Sequence, residues 1–140
     1  MNAEKKKYIS LILILGSLTA LSPFSIDMYL SAFPQMAHAF GTNVAEISLT
    51  LSSYFIGLAS GQLFYGPLMD RFGRKGPLYI GLAIYILASL ACAFSTSVNA
   101  LIFFRFIQAV GGCAASVGSF AMVRDLFEQK KVQKFFHSLF

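Results

Sequence analysis

Four apolar runs, residues 9–32, 47–69, 77–95 and 101–123, dominate this chain, and each is close to the ~20 residues that cross a bilayer as an α-helix. Only two charges, Asp27 and Arg105, lie well inside them. Strands of a membrane barrel are short, alternate apolar with polar residues and come in large closed sets, a pattern these long, uniformly apolar runs do not follow. The expected fold class is all-α integral membrane, with four transmembrane helices in one domain. Charged residues make up 12% of the chain, against roughly 25% in an ordinary soluble domain, which argues against the soluble classes.

The first run also has features of a secretory signal, because Lys5, Lys6 and Lys7 precede an apolar core with small residues near Ala20. It stays apolar beyond any cleavage point there, and three further spans follow, so an uncleaved anchor is expected. The net charge of +5 raises the question of nucleic acid. Its distribution answers it. Basic residues gather at Lys5, Lys6 and Lys7, at Arg71, Arg74 and Lys75, and at Arg124, Lys130, Lys131 and Lys134, while segments 33–46 and 96–100 hold none. The positive-inside rule then places the amino terminus, the loop 70–76 and the tail 124–140 in the cytoplasm. Basicity is a topology signal, with membrane lipid rather than nucleic acid as the partner.

Segment 33–46 is expected to be the longest external loop, with Pro34, Gly41 and Asn43 as its breakers, and residues 95–99 a tight external turn. Beyond Leu126 charges interleave with Val132, Phe135, Phe136 and Leu139. Two readings stand for this tail: an amphipathic helix on the inner interface, or the first turn of a fifth span. Cys92 falls about 22 Å along the third helix and Cys113 deeper on the fourth, too far apart in depth for the ~5.5 Å of a disulfide. Neither has neighbours at metal-ligand spacing, so both read as packing residues and no metal site is expected. Gly57 and Gly61 on the second span, and Gly111, Gly112 and Gly118 on the fourth, are helix-packing candidates. In lipid, small residues let backbones approach closely where apolar side chains gain little by associating.

Asp27 is the first candidate for chemistry. A carboxylate in a membrane helix costs a few kcal/mol on insertion scales and so faces a protein interior, a wet cavity or a partner. Desolvation favours the neutral form of such a group, which suits one that binds and releases a proton. It also lies only about five residues, or 7–8 Å, inside the span, where hydration from the outer interface is the alternative. Arg105 reaches a similar depth on the antiparallel fourth span, within about one helical turn. A direct or water-bridged pair between the two would lower the cost of both, and a proton on Asp27 would free Arg105. The competing reading is a structural ion pair that only fixes packing. Gln108 lies on the same helical face as Arg105, with Gly112 and Ala115 further in, as in a cavity lining.

The loop GPLMDRFGRK, residues 66–75, has Gly66 and Pro67 expected to end the second span and Gly73 as a turn residue, with Asp70 among Arg71, Arg74 and Lys75. This stretch resembles the signature loop between the second and third helices of the major facilitator superfamily. Asp27-Met28-Tyr29-Leu30 followed by Ala32-Phe33-Pro34, the run Gly61-Gln62-Leu63-Phe64-Tyr65-Gly66-Pro67, and Val123-Arg124-Asp125-Leu126 resemble its bicyclomycin and chloramphenicol resistance branch, Bcr/CflA. Arg105, Gln108 and Gly111 resemble the superfamily's proton-antiporter pattern on the fourth helix. Ser31 stands where that branch commonly has proline, and Ala109 where the superfamily pattern most often has glycine.

The resemblance covers roughly residues 8–128. It implies export of hydrophobic drugs in exchange for protons across a bacterial inner membrane, with protons as the coupling ion and no cofactor. Asp27, Arg105 and Gln108 would serve proton and substrate coupling. Gly66, Asp70, Arg71, Gly73, Arg74 and Lys75 would form the cytoplasmic gate loop, with Arg124 and Asp125 beside it. Members have about twelve helices, so these four would be the first third of the fold. The expectation is therefore a fragment, an interrupted gene, or a part that needs separately made helices. The rivals are a small four-helix protein acting as a homo-oligomer and a facilitator of nutrients or osmolytes. An enzyme is not expected, since no nucleophile–base pair or metal cluster is visible.

Overall fold

A computed structural model describes the backbone of residues 3–139, and side chains except those of residues 1–5, 7, 127 and 129–140. Five helices follow in order: α1 Ala3–Ser31, α2 Phe33–Phe40, α3 Val44–Phe72, α4 Lys75–Ala93 and α5 Val98–Leu139. Four contain stretches long and apolar enough to cross a membrane, Tyr8–Ser31, Val44–Phe72, Lys75–Ala93 and Val98–Leu126.

The bundle is organised around α5. In the most apolar stretch of its span 44% of the residues are buried, against 11% in that of α1, and it packs against α1, α3 and α4. The reason lies in its composition. Gly111, Gly112, Cys113, Ala114, Ala115, Gly118 and Ser119 are all buried, and such small residues admit a neighbour on every side. The facing stripe of α3 is Ile47, Thr50, Tyr54, Gly57, Gly61, Tyr65 and Met69, spaced three or four apart and so aligned along one face. A Cβ on Gly57 would lie 2.6 Å from the Phe106 carbonyl oxygen, and one on Gly61 would lie 2.7 Å from the Cys113 Cβ. On the other side, a Cβ on Gly111 would lie 2.7 Å from the Gly81 carbonyl oxygen of α4. Backbone meets nearly bare backbone at both seams. Gly112 faces the Tyr85 ring and Gly118 faces Met69 and Leu78, at ordinary to tight contact distances.

Three local expectations are corrected. Segment 33–46 is not all loop, since Phe33–Phe40 forms α2. Pro34 falls in the first turn of α2, where its missing N–H would be unbonded anyway. Gly41 closes the helix at φ 61, and Asn43 caps α3 by accepting the Glu46 N–H at 2.8 Å. Gly66 and Pro67 do not end the second span, because α3 runs through them to Phe72. A proline is tolerated there as helices of a bundle re-satisfy the freed carbonyl or relax locally. The break comes instead at Gly73, whose φ of 81 leaves only Gly73 and Arg74 between α3 and α4. Finally, α5 continues past its span to Leu139, so the tail prolongs the fourth helix and is not the first turn of a fifth span. The face formed by Val132, Phe135, Phe136 and Leu139 lies outside the described side chains.

Candidate functional site

Polar side chains from all four spanning helices converge on Arg105. Its Nη1 donates to Gln108 Oε1 at 3.0 Å, one turn along α5, and to Ser25 Oγ of α1 at 3.4 Å. Gln108, 6% exposed, passes the connection on by donating from Nε2 to Ser89 Oγ of α4 at 2.7 Å. The guanidinium lies over the Tyr29 ring of α1, with Cζ 3.4 Å from the centroid, and stands 5.8 Å from that of Tyr54 on α3. Tyr29 is in turn anchored, its hydroxyl 2.5 Å from Thr50 Oγ1. Below, Ser22 and Ser116 approach to 3.3 Å across α1 and α5.

Arg105 is thus a permanent cation inside an apolar bundle, and no carboxylate pairs with it among the described residues. Its charge is met by neutral oxygens and by the π-face of Tyr29, an arrangement that lowers the cost of burial without cancelling the charge. Nearby, Arg105 Nε is buried without a hydrogen-bond partner, and the buried Tyr54 hydroxyl stands beside Ser25 and Ser22. Such a cluster can stabilise a negative or strongly dipolar group brought to it.

The expected pairing of Asp27 with Arg105 does not occur. Asp27 is exposed and forms no ion pair among the described residues. The reason is angular. Ser25 and Tyr29 are one turn apart on the face of α1 that meets Arg105, and Asp27, two residues from each, lies about 200° around the helix from both. Equal depth brought the two charges level, and α1 stands between them. Asp27 shares its face with Phe24 and Met28, 66% and 70% exposed.

At the other end of the bundle, the loop residues divide into two groups. Arg74 faces Asp125 of α5 through contacts of 2.6 and 2.8 Å, a two-pronged pair that ties the start of α4 to α5. Asp70 does not share in it. Its side chain lines a cleft of about 460 Å³ with Gln62, Gly66, Met69, Phe120 and Arg124. Arg71 lies over the Phe72 ring at 5.5 Å and Lys75 is exposed. Of the predicted loop set, therefore, Arg74 and Asp125 are joined, Asp70 and Arg124 share a cleft, and Arg71 and Lys75 face outward.

Tyr29, Thr50, Tyr54, Ser25 and Ser89 were not singled out from the sequence as parts of this site. One signal was available. Ser25 and Tyr29 stand one turn apart on α1, and Thr50 and Tyr54 do so on α3, each placing a hydroxyl and a phenol on one helical face.

Residues 15–136 match the family described as Major Facilitator Superfamily. The chain is 38% identical over 138 residues to an "Uncharacterized MFS-type transporter YdgK" of Bacillus subtilis (strain 168), covering 99% of this chain and 34% of that protein. It is 40% identical over 116 residues to a chloramphenicol resistance protein of Pseudomonas aeruginosa, covering 83% of this chain and 28% of the relative. A bicyclomycin resistance protein homolog of Haemophilus influenzae is 39% identical over 134 residues, 96% of this chain and 33% of the relative. The chain spans about a third of the length of these curated relatives. Matched through its four membrane-length helices, the chain is a multi-pass membrane protein and belongs to the major facilitator superfamily.

Proposed function

We propose that these helices are the amino-terminal part of a proton-coupled multidrug efflux transporter in a bacterial inner membrane, exchanging protons for hydrophobic drug-like molecules. The single observation that carries this is Arg105, a cation held at the junction of four helices with no carboxylate pairing with it among the described residues. An intramembrane charge is expensive and marks a pathway or a relay. The relatives named for chloramphenicol and bicyclomycin resistance supply the substrate class.

Asp27 is the proton-binding group of this reading. Its face of α1 cannot rest against lipid as a carboxylate without a desolvation cost. Water or further helices of the same transporter therefore cover it, and transporters of this class place substrate near the midplane between repeats. The opposite face of α1 carries Ser25 and Tyr29, which hold Arg105. Protonation of Asp27 that reseats α1 would thus be felt at Arg105 through the helix rather than across a direct bond. The chain carries solute and is assigned no covalent chemistry. The short Gly73–Arg74 connection, with its flanking basic residues, lies on the cytoplasmic side in this reading.

The test is Asp27→Asn in the complete transporter. Proton-driven drug efflux is expected to be lost while the protein still inserts at normal abundance, and undiminished efflux would remove the coupling role.

A further inference from the structure

Among the described residues Arg105 is the one charged group at the junction of all four spans, and Gln108 and Ser25 alone do not determine where its head lies. The Gln108 bond is one turn along the same helix and would follow the arginine wherever α5 goes. The Ser25 contact, at 3.4 Å, is at the long limit of a hydrogen bond. A broader surface on another helix is the Tyr29 ring, whose centroid is 3.4 Å from the guanidinium carbon.

That ring is itself held on two sides. Its hydroxyl meets Thr50 Oγ1 at 2.5 Å, and Thr50, fully buried, also bonds the Ile47 carbonyl at 2.5 Å. Phe33 stands edge-on to it, with centroids 5.3 Å apart and planes at 86°. Tyr29 is 6% exposed, so few other rotamers are open to it. A plate fixed in this way gives the cation above it a fixed position.

From this geometry we infer that Tyr29 is a positioning residue for Arg105: anchored by Thr50 and Phe33, its ring sets where the guanidinium stands during the transport cycle. The inference rests on the coupling role proposed for Arg105. The contact itself requires the aromatic face and not the hydroxyl, which serves only as one of the ring's two anchors. Thr50 acts one step further out, by holding the ring.

The experiment compares Tyr29→Leu, Tyr29→Met and Tyr29→Phe in the complete transporter, with drug efflux rates divided by the amount of protein in the membrane. Loss of a desolvated cation–π contact predicts a fall in maximal rate of about tenfold or more for the leucine and methionine variants. The drug concentration at half-maximal rate should stay near its original value. Tyr29→Phe keeps the ring and should retain most of the rate, a rescue that a general packing role would not give, since leucine and methionine also fill apolar space. Rates near the unmodified level in the leucine and methionine variants would overturn the inference, as would a phenylalanine variant as impaired as leucine. Arg105→Ala separates the two claims. If it leaves efflux intact, the coupling role itself fails. If it abolishes efflux while the leucine variant is unaffected, only the role of Tyr29 fails.

Discussion

Replacing Gly57 by alanine tests whether backbone proximity holds α3 on α5. The added Cβ would stand 2.6 Å from the Phe106 carbonyl oxygen and 2.7 Å from the Ala109 Cβ. Non-bonded carbons rest about 3.5–4.0 Å apart, so the helices must part by about 1 Å. Neither obstacle can turn aside, because one is main chain and the other is a methyl on a residue with no exposure. A gap of ~0.5–1 Å forfeits a quarter to a half of the dispersion attraction across it, here along the stripe from Ile47 to Met69. Overpacking of this kind costs about 1–3 kcal/mol. Cys113, fully buried against Gly61, supplies the assay. In a Cys92→Ser background, a thiol-reactive fluorogenic dye follows exposure of Cys113 as detergent-solubilised protein is heated. The midpoint should fall by about 4 °C or more. Gly16→Ala is the control, since nothing lies within 4 Å of the added atom and alanine gains up to ~1 kcal/mol of helix propensity. Equal midpoints for the two variants would refute the reasoning.

Three further outcomes follow from the same geometry. Gln108→Leu leaves Ser89 without a side-chain partner and Arg105 with only its long Ser25 bond; it should cost about 1.5–3 kcal/mol, as for other buried bonds to a charged group, read as a lower midpoint in the dye assay. Arg74→Ala should cost no more than ~1 kcal/mol, because Asp125 is 46% exposed and water screens the pair. The exchange Arg74→Asp with Asp125→Arg should recover what either reversal alone loses. Single cysteines at Lys75 and Thr42, in a background lacking Cys92 and Cys113, should react with a membrane-impermeant maleimide from opposite sides of the cell membrane; labelling of both from outside would overturn the assigned topology.

The spans were legible because lipid forces length and apolarity on any segment that crosses it, whatever it packs against. The end of α3 was not, because Gly66-Pro67 breaks a helix in water and is accommodated in a bundle. Pro34 misled in the opposite sense, since a proline that terminates one helix also suits the first turn of the next. The Arg105–Gln108 bond could be read from spacing alone, both ends lying on one helix. The Arg74–Asp125 pair, 51 positions apart, was foreshadowed only by family resemblance.

Asp27 and Arg105 mark the physical limit more sharply. Counting residues from a span's end fixes depth, at about 1.5 Å per residue, but says nothing of rotation about the helix axis. On α3 the rotation could be recovered, because small and aromatic residues recur along a single stripe. Along α1 it could not, since apolar side chains surround the helix and, among its described residues, only Leu15, Ser22 and Tyr29 are buried. Two faces of α1 therefore do separate work. One holds a cation through Ser25 and Tyr29; the other presents an acid. A helix that bears an acid on one face and grips a cation with the other links them by its own rigidity, so the separation that rules out an ion pair leaves α1 as the element through which they can be coupled.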